Sequence, residues 1–167
     1  ENFVVRVEPG VLLNDLAEDA QKQGLLYPPD PGEKTASIGG NVITNAGGMR
    51  AVRYGLTRDF VRCIEAVLPD GEIVQFSSNV VKNTTGYDIK DLVIGSEGTL
   101  CILTEVTLKL LPAPKLTRTL VMPFESLESC YREEASDVGT VRVHETGVQG
   151  FFGKVSGWWC SLFFDIG

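Results

Sequence analysis

Between Ser37 and Gly48 the chain reads Ser-Ile-Gly-Gly-Asn-Val-Ile-Thr-Asn-Ala-Gly-Gly, and this stretch restricts the fold more than any other. Two Gly-Gly pairs bracket Asn41 and Asn45, with only small or aliphatic residues between them. No side chain here has an obvious catalytic role. Glycine lets backbone come very close to whatever faces it, and bare amides can then point at phosphate or ring oxygens. Two readings follow. Either main chain wraps around a large, flat, polar-edged ligand, or a Gly-rich turn lies beside a helix of small residues.

The rest of the composition bounds the class. A chain of 167 residues can bury one good core. An apolar share of 43% with mean hydropathy +0.06 is that of a globular protein. No run approaches the roughly 20 apolar residues of a bilayer span. A net charge of −7 and a pI near 4.7 disfavour a nucleic-acid partner, which needs a basic face. The chain opens at Glu1 inside an expected strand, without initiator Met, signal peptide or transit peptide, and reads as a piece of a longer protein. The expected location is cytoplasmic, or peripheral to a membrane through partner subunits. Cys63, Cys101, Cys130 and Cys160 are scattered and form no C-x-x-C pair, which weakens zinc and thioredoxin-type readings. His144 is the only histidine, so a metal site built from imidazoles is excluded within this chain.

Helical and strand periods alternate along the chain. Phe3–Val7 reads as a strand. Leu12, Leu13, Leu16, Ala17 and Ala20 repeat at helical spacing over 11–23, and Gly24 stops the helix. Tyr27-Pro28-Pro29-Asp30-Pro31-Gly32 is a rigid loop, because three prolines remove three N–H donors. A hairpin is expected from Phe60–Leu68 and Glu72–Phe76 around Pro69-Asp70-Gly71. A short helix is expected over 88–94. Leu100–Leu111 follows as a central strand, with Leu100, Ile102, Thr104, Val106, Leu108 and Leu110 on one face. Thr117–Met122 is a further strand, and Phe124, Leu127 and Tyr131 open an amphipathic helix. From about residue 136 the texture changes. The run Gly157-Trp158-Trp159-Cys160-Ser161-Leu162-Phe163-Phe164 shows no clear period, and is expected to be a partner-binding tail or a non-native end.

The Rossmann fingerprint and the P-loop signature are both absent. What remains is a fold that encloses an extended cofactor from several loops. The residues Tyr27-Pro28-Pro29-Asp30-Pro31, Ile38-Gly39-Gly40-Asn41-Val42, Asn45-Ala46-Gly47-Gly48, Arg53-Tyr54-Gly55, Val67-Leu68-Pro69-Asp70-Gly71, Thr85-Gly86-Tyr87-Asp88 and Gly95-Ser96-Glu97-Gly98-Thr99-Leu100 run in the order found in one family. Over roughly residues 1 to 130 the chain resembles the FAD-linked 2-hydroxy acid dehydrogenases. These include the glycolate oxidase D subunit, D-lactate dehydrogenases and D-2-hydroxyglutarate dehydrogenases, within the vanillyl-alcohol-oxidase flavoprotein group.

The resemblance implies an α+β, sandwich-like fold: the second subdomain of a vanillyl-alcohol-oxidase type FAD-binding domain, truncated, with a mixed sheet and flanking helices. Residues 1–114 would be the partial FAD-binding domain, 115–135 the start of a substrate domain, and 136–167 an atypical tail. By resemblance Pro29 and Asp30 lie near the flavin. Gly39, Gly40, Asn41, Asn45, Gly47 and Gly48 would line its ring and ribityl region, with Tyr54 and Gly55 close by. Glu97, Gly98 and the backbone of Ile102 would hold the adenosine end. Tyr54 could equally be a packing aromatic, and Glu97 a solvated loop charge. Cys101 stands where the family usually has Gly. The family's Gly-rich diphosphate loop and its histidine-bearing substrate domain have no counterpart here.

The implied reaction is oxidation of a glycolate- or D-lactate-class 2-hydroxy acid to the 2-oxo acid by hydride transfer to FAD, with electrons leaving to a partner protein or quinone. Catalytic residues are not assignable, and the 167 residues alone are expected to be inactive. The alternatives are a non-catalytic nucleotide- or partner-binding module, or a related flavoprotein reductase with another substrate.

Overall fold

In the computed structural model the described residues are 3–78, 86–123, 148–151 and 159–166. They form β1 (Val4–Val7), α1 (Leu13–Lys22), β2 (Leu25–Leu26), α2 (Ile38–Ile43), α3 (Ala51–Tyr54), a 3-10 turn (Thr57–Asp59), β3 (Val61–Val67), β4 (Ile73–Phe76), α4 (Lys90–Val93), β5 (Ile102–Lys109), β6 (Leu111–Pro112), β7 (Leu116–Pro123), β8 (Val148–Phe151) and β9 (Trp159–Ile166). The chain divides into two units, Glu1–Ala113 and Pro114–Gly167.

In the first unit, Leu13, Leu16 and Ala20 bury one stripe of α1. No side chain caps its start. The amides of Leu13 and Asn14 instead donate to the carbonyls of Ala36 (3.0 Å) and Lys34 (3.2 Å). This ties the helix to the segment that leads into α2. Gly24, at φ 71°, ends the helix in the left-handed conformation that glycine adopts without strain.

The sheet runs in the order β1-β5-β3-β4. The α and β content and the central place of β5 follow the sequence. The mixed sheet does not: every ladder among the described residues is antiparallel. The tight turn at Pro69-Asp70-Gly71 already requires this of β3 and β4, since parallel neighbours need a long crossover.

The face assignment along β5 needs a second correction. Leu103 pairs with Ala66 and Glu105 with Glu65, so Thr104 is an extra residue on β5. This β-bulge reverses the alternation. On its C-terminal side Val106 and Leu108 enter the core, fully buried. On its N-terminal side Leu103 enters the core in place of Ile102, which is 72% exposed. Leu100 is exposed as well. Ile64, Ala66, Val106 and Leu108 form the centre of the core with Ile38 and Val42 of α2. Each Ile, Val and Leu side chain among them contributes roughly 1.5–3 kcal/mol by leaving water.

The opposite sheet face carries polar contacts beside Cys63 and Ile102. Glu65 accepts from Thr104 Oγ1 (2.8 Å), and Arg6 pairs with Glu105 (3.0 Å).

The second unit contains a three-stranded antiparallel sheet in the order β7-β9-β8. The strand expected over 117–122 falls in β7. Trp159–Ile166, where no period was legible, is the middle strand. The helix expected from Phe124, Leu127 and Tyr131 lies outside the described residues, as do Thr85, Cys130, His144 and Trp158. Among the described residues no helix is long and apolar enough to cross a membrane.

Candidate functional site

The glycine segment divides into two halves. Ser37–Ile43 takes the small-residue helix reading. Ser37 caps α2, its Oγ accepting from the Gly40 amide at 3.1 Å. The Ile38 amide donates to Val11 O and the Gly39 amide to Pro9 O, both at 2.8 Å, and the Asn41 amide donates to Ser37 O at 3.0 Å. All four first-turn amides are therefore committed to protein acceptors. Gly39 and Gly40 are not a cradle of free donors. Glycine is needed at 39 because a Cβ would stand 2.5 Å from Pro9 Cβ. Ile38 and Val42 drive the helix into the core, both fully buried.

The second half, Asn45–Gly48, is irregular and is held by distant residues. Asn45 lies at φ 50°, a left-handed conformation that asparagine tolerates better than most residues. The Ala46 amide donates back to Asn41 O at 2.8 Å. Thr57, fully buried, donates to Ala46 O from its hydroxyl at 2.8 Å. The Arg58 amide donates to Asn45 Oδ1 at 3.1 Å. Gly48 packs directly on the Asp30 carbonyl.

The Gly95–Gly98 loop docks on the C-terminal end of α2. The Gly95 amide donates to Val42 O (3.2 Å) and the Glu97 amide to Ile43 O (2.9 Å), satisfying carbonyls that a helix end leaves open. A Cβ on Gly98 would stand 3.4 Å from Ile43 Cδ1.

The tertiary structure thus gathers the Pro29–Asp30 loop, α2, Asn45–Gly48 and Gly95–Gly98 into one contiguous group. Pro29 is buried. The Asp30 carboxylate pairs with Lys34 and, at 3.6 Å, with Arg50. Desolvation first, then the Arg50 charge, hold the Lys34 ammonium below its ordinary value. Tyr54 packs on the core and carries the Arg53 guanidinium 4.8 Å from its ring centroid. Gly55 faces the Asp59 carboxylate, which accepts from the Leu56 amide at 2.7 Å. Glu97 has an exposed side chain and φ 56°. Ile102 stands on the sheet face away from the core.

Three buried polar atoms have no partner among the described residues: Asn41 Nδ2, Ser96 Oγ and the Tyr27 hydroxyl. Asn41 is only 4% exposed. A buried donor without an acceptor costs about 1–3 kcal/mol, so such groups mark places where an outside ligand can complete the bonding. Tyr27 packs edge-on against Phe60, ring centroids 6.2 Å apart. Burial pushes its phenol well above the ordinary value. Thr57 beside it works in the opposite direction, though the Thr57 hydroxyl itself is committed to Ala46 O. Ser96, Thr57 and Arg58 were not singled out from the sequence. Their roles depend on which distant carbonyl or cavity they meet, and no local pattern encodes that.

Comparison with known proteins gives the kinds of protein this chain is similar to. Residues 1–77 match the family described as FAD binding domain. The chain is 65% identical over 130 residues to a D-lactate dehydrogenase from Anaerostipes hadrus, covering 78% of this chain and 27% of that protein. It is 40% identical over 144 residues to the glycolate oxidase subunit GlcD of Bacillus subtilis, covering 86% of this chain and 30% of that one. The chain therefore spans less than a third of the length of these relatives. Among solved structures it is similar to alkyldihydroxyacetonephosphate synthase, with TM-score 0.71 and 23% identity, over 83% of this chain and 25% of that one. That likeness shows the fold.

Proposed function

We propose, for a chain that belongs over residues 1–77 to the FAD binding domain family and is related to FAD-linked 2-hydroxy acid dehydrogenases, that it is the flavin platform of an enzyme oxidising a 2-hydroxy acid of the D-lactate or glycolate class. The observation that carries this reading is the convergence of the glycine motifs around two unsatisfied buried groups, Asn41 Nδ2 and Ser96 Oγ. An amide donor and a hydroxyl, with Gly47 and Gly48 in the adjoining loop, fit the carbonyl-rich ring edge and diphosphate oxygens of FAD. When bound, FAD supplies the two-electron acceptor chemistry. The chain's own part is to bind and orient. Asn41 and Ser96 would donate hydrogen bonds to the cofactor. The backbone of Asn45–Gly48 would line its site. Asp30, held by Lys34 and Arg50, fixes the edge of the loop on which Gly48 rests.

Acid–base residues for the substrate come from outside these residues. The electron acceptor is a partner protein or a quinone, and residues 115–135 open the substrate domain. The full-length protein tests this reading. Purified and loaded with FAD, it should show the visible flavin spectrum and oxidise D-lactate or glycolate with an artificial electron acceptor. A colourless protein that takes up no FAD would overturn the cofactor. A flavoprotein idle on every 2-hydroxy acid would overturn the substrate class.

A further inference from the structure

Thr57, Arg58 and Asp59 form one 3-10 turn, and each side chain fastens a residue next to a different glycine motif. Thr57 Oγ1 holds Ala46 O, beside Gly47-Gly48. Asp59 holds the Leu56 amide, beside Gly55. Arg58 spans the greatest distance in sequence: its guanidinium Nη2 donates to Ile94 O at 3.2 Å, beside Gly95, 36 residues away. The amide of the same residue donates to Asn45 Oδ1, 13 residues away on the other side. A Cβ on Gly95 would be 3.4 Å from Asn45 Cβ and 3.8 Å from Arg58 Nη2, so the three residues meet at one point.

We propose that Arg58 is a positioning residue: it joins the Asn45–Gly48 loop to the Gly95–Gly98 loop, so that both halves of the cofactor surface stand in place before the cofactor arrives. This rests on the flavin reading above. The physical case is one of pre-organisation. Ile94 is buried at 2% exposure, so its carbonyl needs a donor delivered from the protein. A guanidinium provides a charge-assisted bond from a planar head that loses little freedom on forming it. Beyond Ile94 the loop is held to α2 by the Gly95 and Glu97 amides. With Arg58 removed, those two hydrogen bonds and the packing of Ile94 remain, but the bond to the Ile94 carbonyl is lost. A ligand would then have to order the loop itself and would bind more weakly.

Amide hydrogen exchange on the FAD-free full-length protein reads this directly, and FAD affinity is measured alongside. In Arg58→Met, exchange at Gly95 and Glu97 should rise by about tenfold or more, the loss expected for one hydrogen bond to a charged group. Exchange at Ile64 and Val106 in the core should stay as in the wild type, and FAD should bind about tenfold more weakly. Arg58→Lys keeps a donor and should recover part of both effects. Wild-type exchange at Gly95 and Glu97 in Arg58→Met would overturn the proposal. So would acceleration spread equally over β3 and β5, which is the mark of a general stabilising role, or a lysine variant that recovers nothing. If Arg58→Met did not fold, the same comparison of loop against core amides in Arg58→Lys decides. A wild-type protein that takes up no FAD would refute the flavin reading and leave the exchange result standing.

Discussion

A Cβ placed on Gly48 would fall on the carbonyl of Asp30 and 2.7 Å from Pro31 N. The atoms it meets are backbone, in a loop stiffened by Pro28, Pro29 and Pro31, and they cannot swing aside. Gly48 is therefore glycine because two loops of the protein touch there. Gly48→Ala should destabilise the fold by about 1–3 kcal/mol or more, the usual cost of overpacking. Gly32→Ala lies in the same proline loop with nothing within 4 Å of its Cβ. It should change stability by less than about 0.5 kcal/mol. Urea unfolding of the two variants side by side checks this, and equal midpoints would refute the close approach.

The Tyr27 phenol gives a pH dependence with a defined sign. Burial raises its folded pKa above the ordinary value of 10.0. The unfolded chain therefore ionises first, and stability that is whole below about pH 10 is lost as pH rises past it. Tyr27→Phe removes both the ionisation and the unpartnered hydroxyl. At neutral pH the variant should be as stable as the wild type or more so. The wild type should lose ground to it only at alkaline pH. Thermal unfolding across the alkaline range tests this; parallel curves for the two proteins would contradict it.

The bulge at Thr104 makes neighbouring residues of β5 differ sharply. Leu103→Ala should cost about 2–5 kcal/mol, because it empties a core site. Ile102→Ala should cost less than about 0.5 kcal/mol, because Ile102 is 72% exposed. Regular alternation through Leu100, Ile102, Val106 and Leu108 demands the opposite order. Denaturation midpoints of the pair decide between the two registers.

Asn41 separates stability from binding. Its Nδ2 has no protein acceptor, so Asn41→Ala removes a donor that the cofactor-free fold does not use. In the full-length protein FAD affinity should fall by roughly 1–3 kcal/mol, the value of one buried hydrogen bond. The unfolding midpoint of the FAD-free protein should move little. Flavin titration and melting of the same variant are the measurements. Unchanged flavin affinity would remove Asn41 from the site.

Much of the first unit was legible because its signals are local. The apolar stripe of α1, the stop at Gly24, the Pro69-Asp70-Gly71 turn and the strand run of β5 each follow from propensity and period within a few residues. The order of the glycine motifs carried the family resemblance, and residues 1–77 match the FAD binding domain family. Motif order is a property of the chain alone. What the glycines do there was not legible. Gly39 answers to Pro9 and Gly48 to Asp30, each a partner far away in sequence.

By itself, then, the sequence determined α1, the β3–β4 hairpin, the strand run of β5, the α and β class and the resemblance to FAD-linked dehydrogenases. These depend on short-range sterics, hydrophobic period and the linear order of motifs. The tertiary structure decided the rest. It placed the bulge that exchanges Ile102 for Leu103 in the core, committed the first amides of α2 to protein acceptors, left Asn41 Nδ2 and Ser96 Oγ unsatisfied, and made the Thr57–Asp59 turn the fastening point of three glycine motifs. Each of these depends on which groups meet across tens of residues. Close packing and the need to satisfy every buried polar group settle such meetings only once the whole chain has folded.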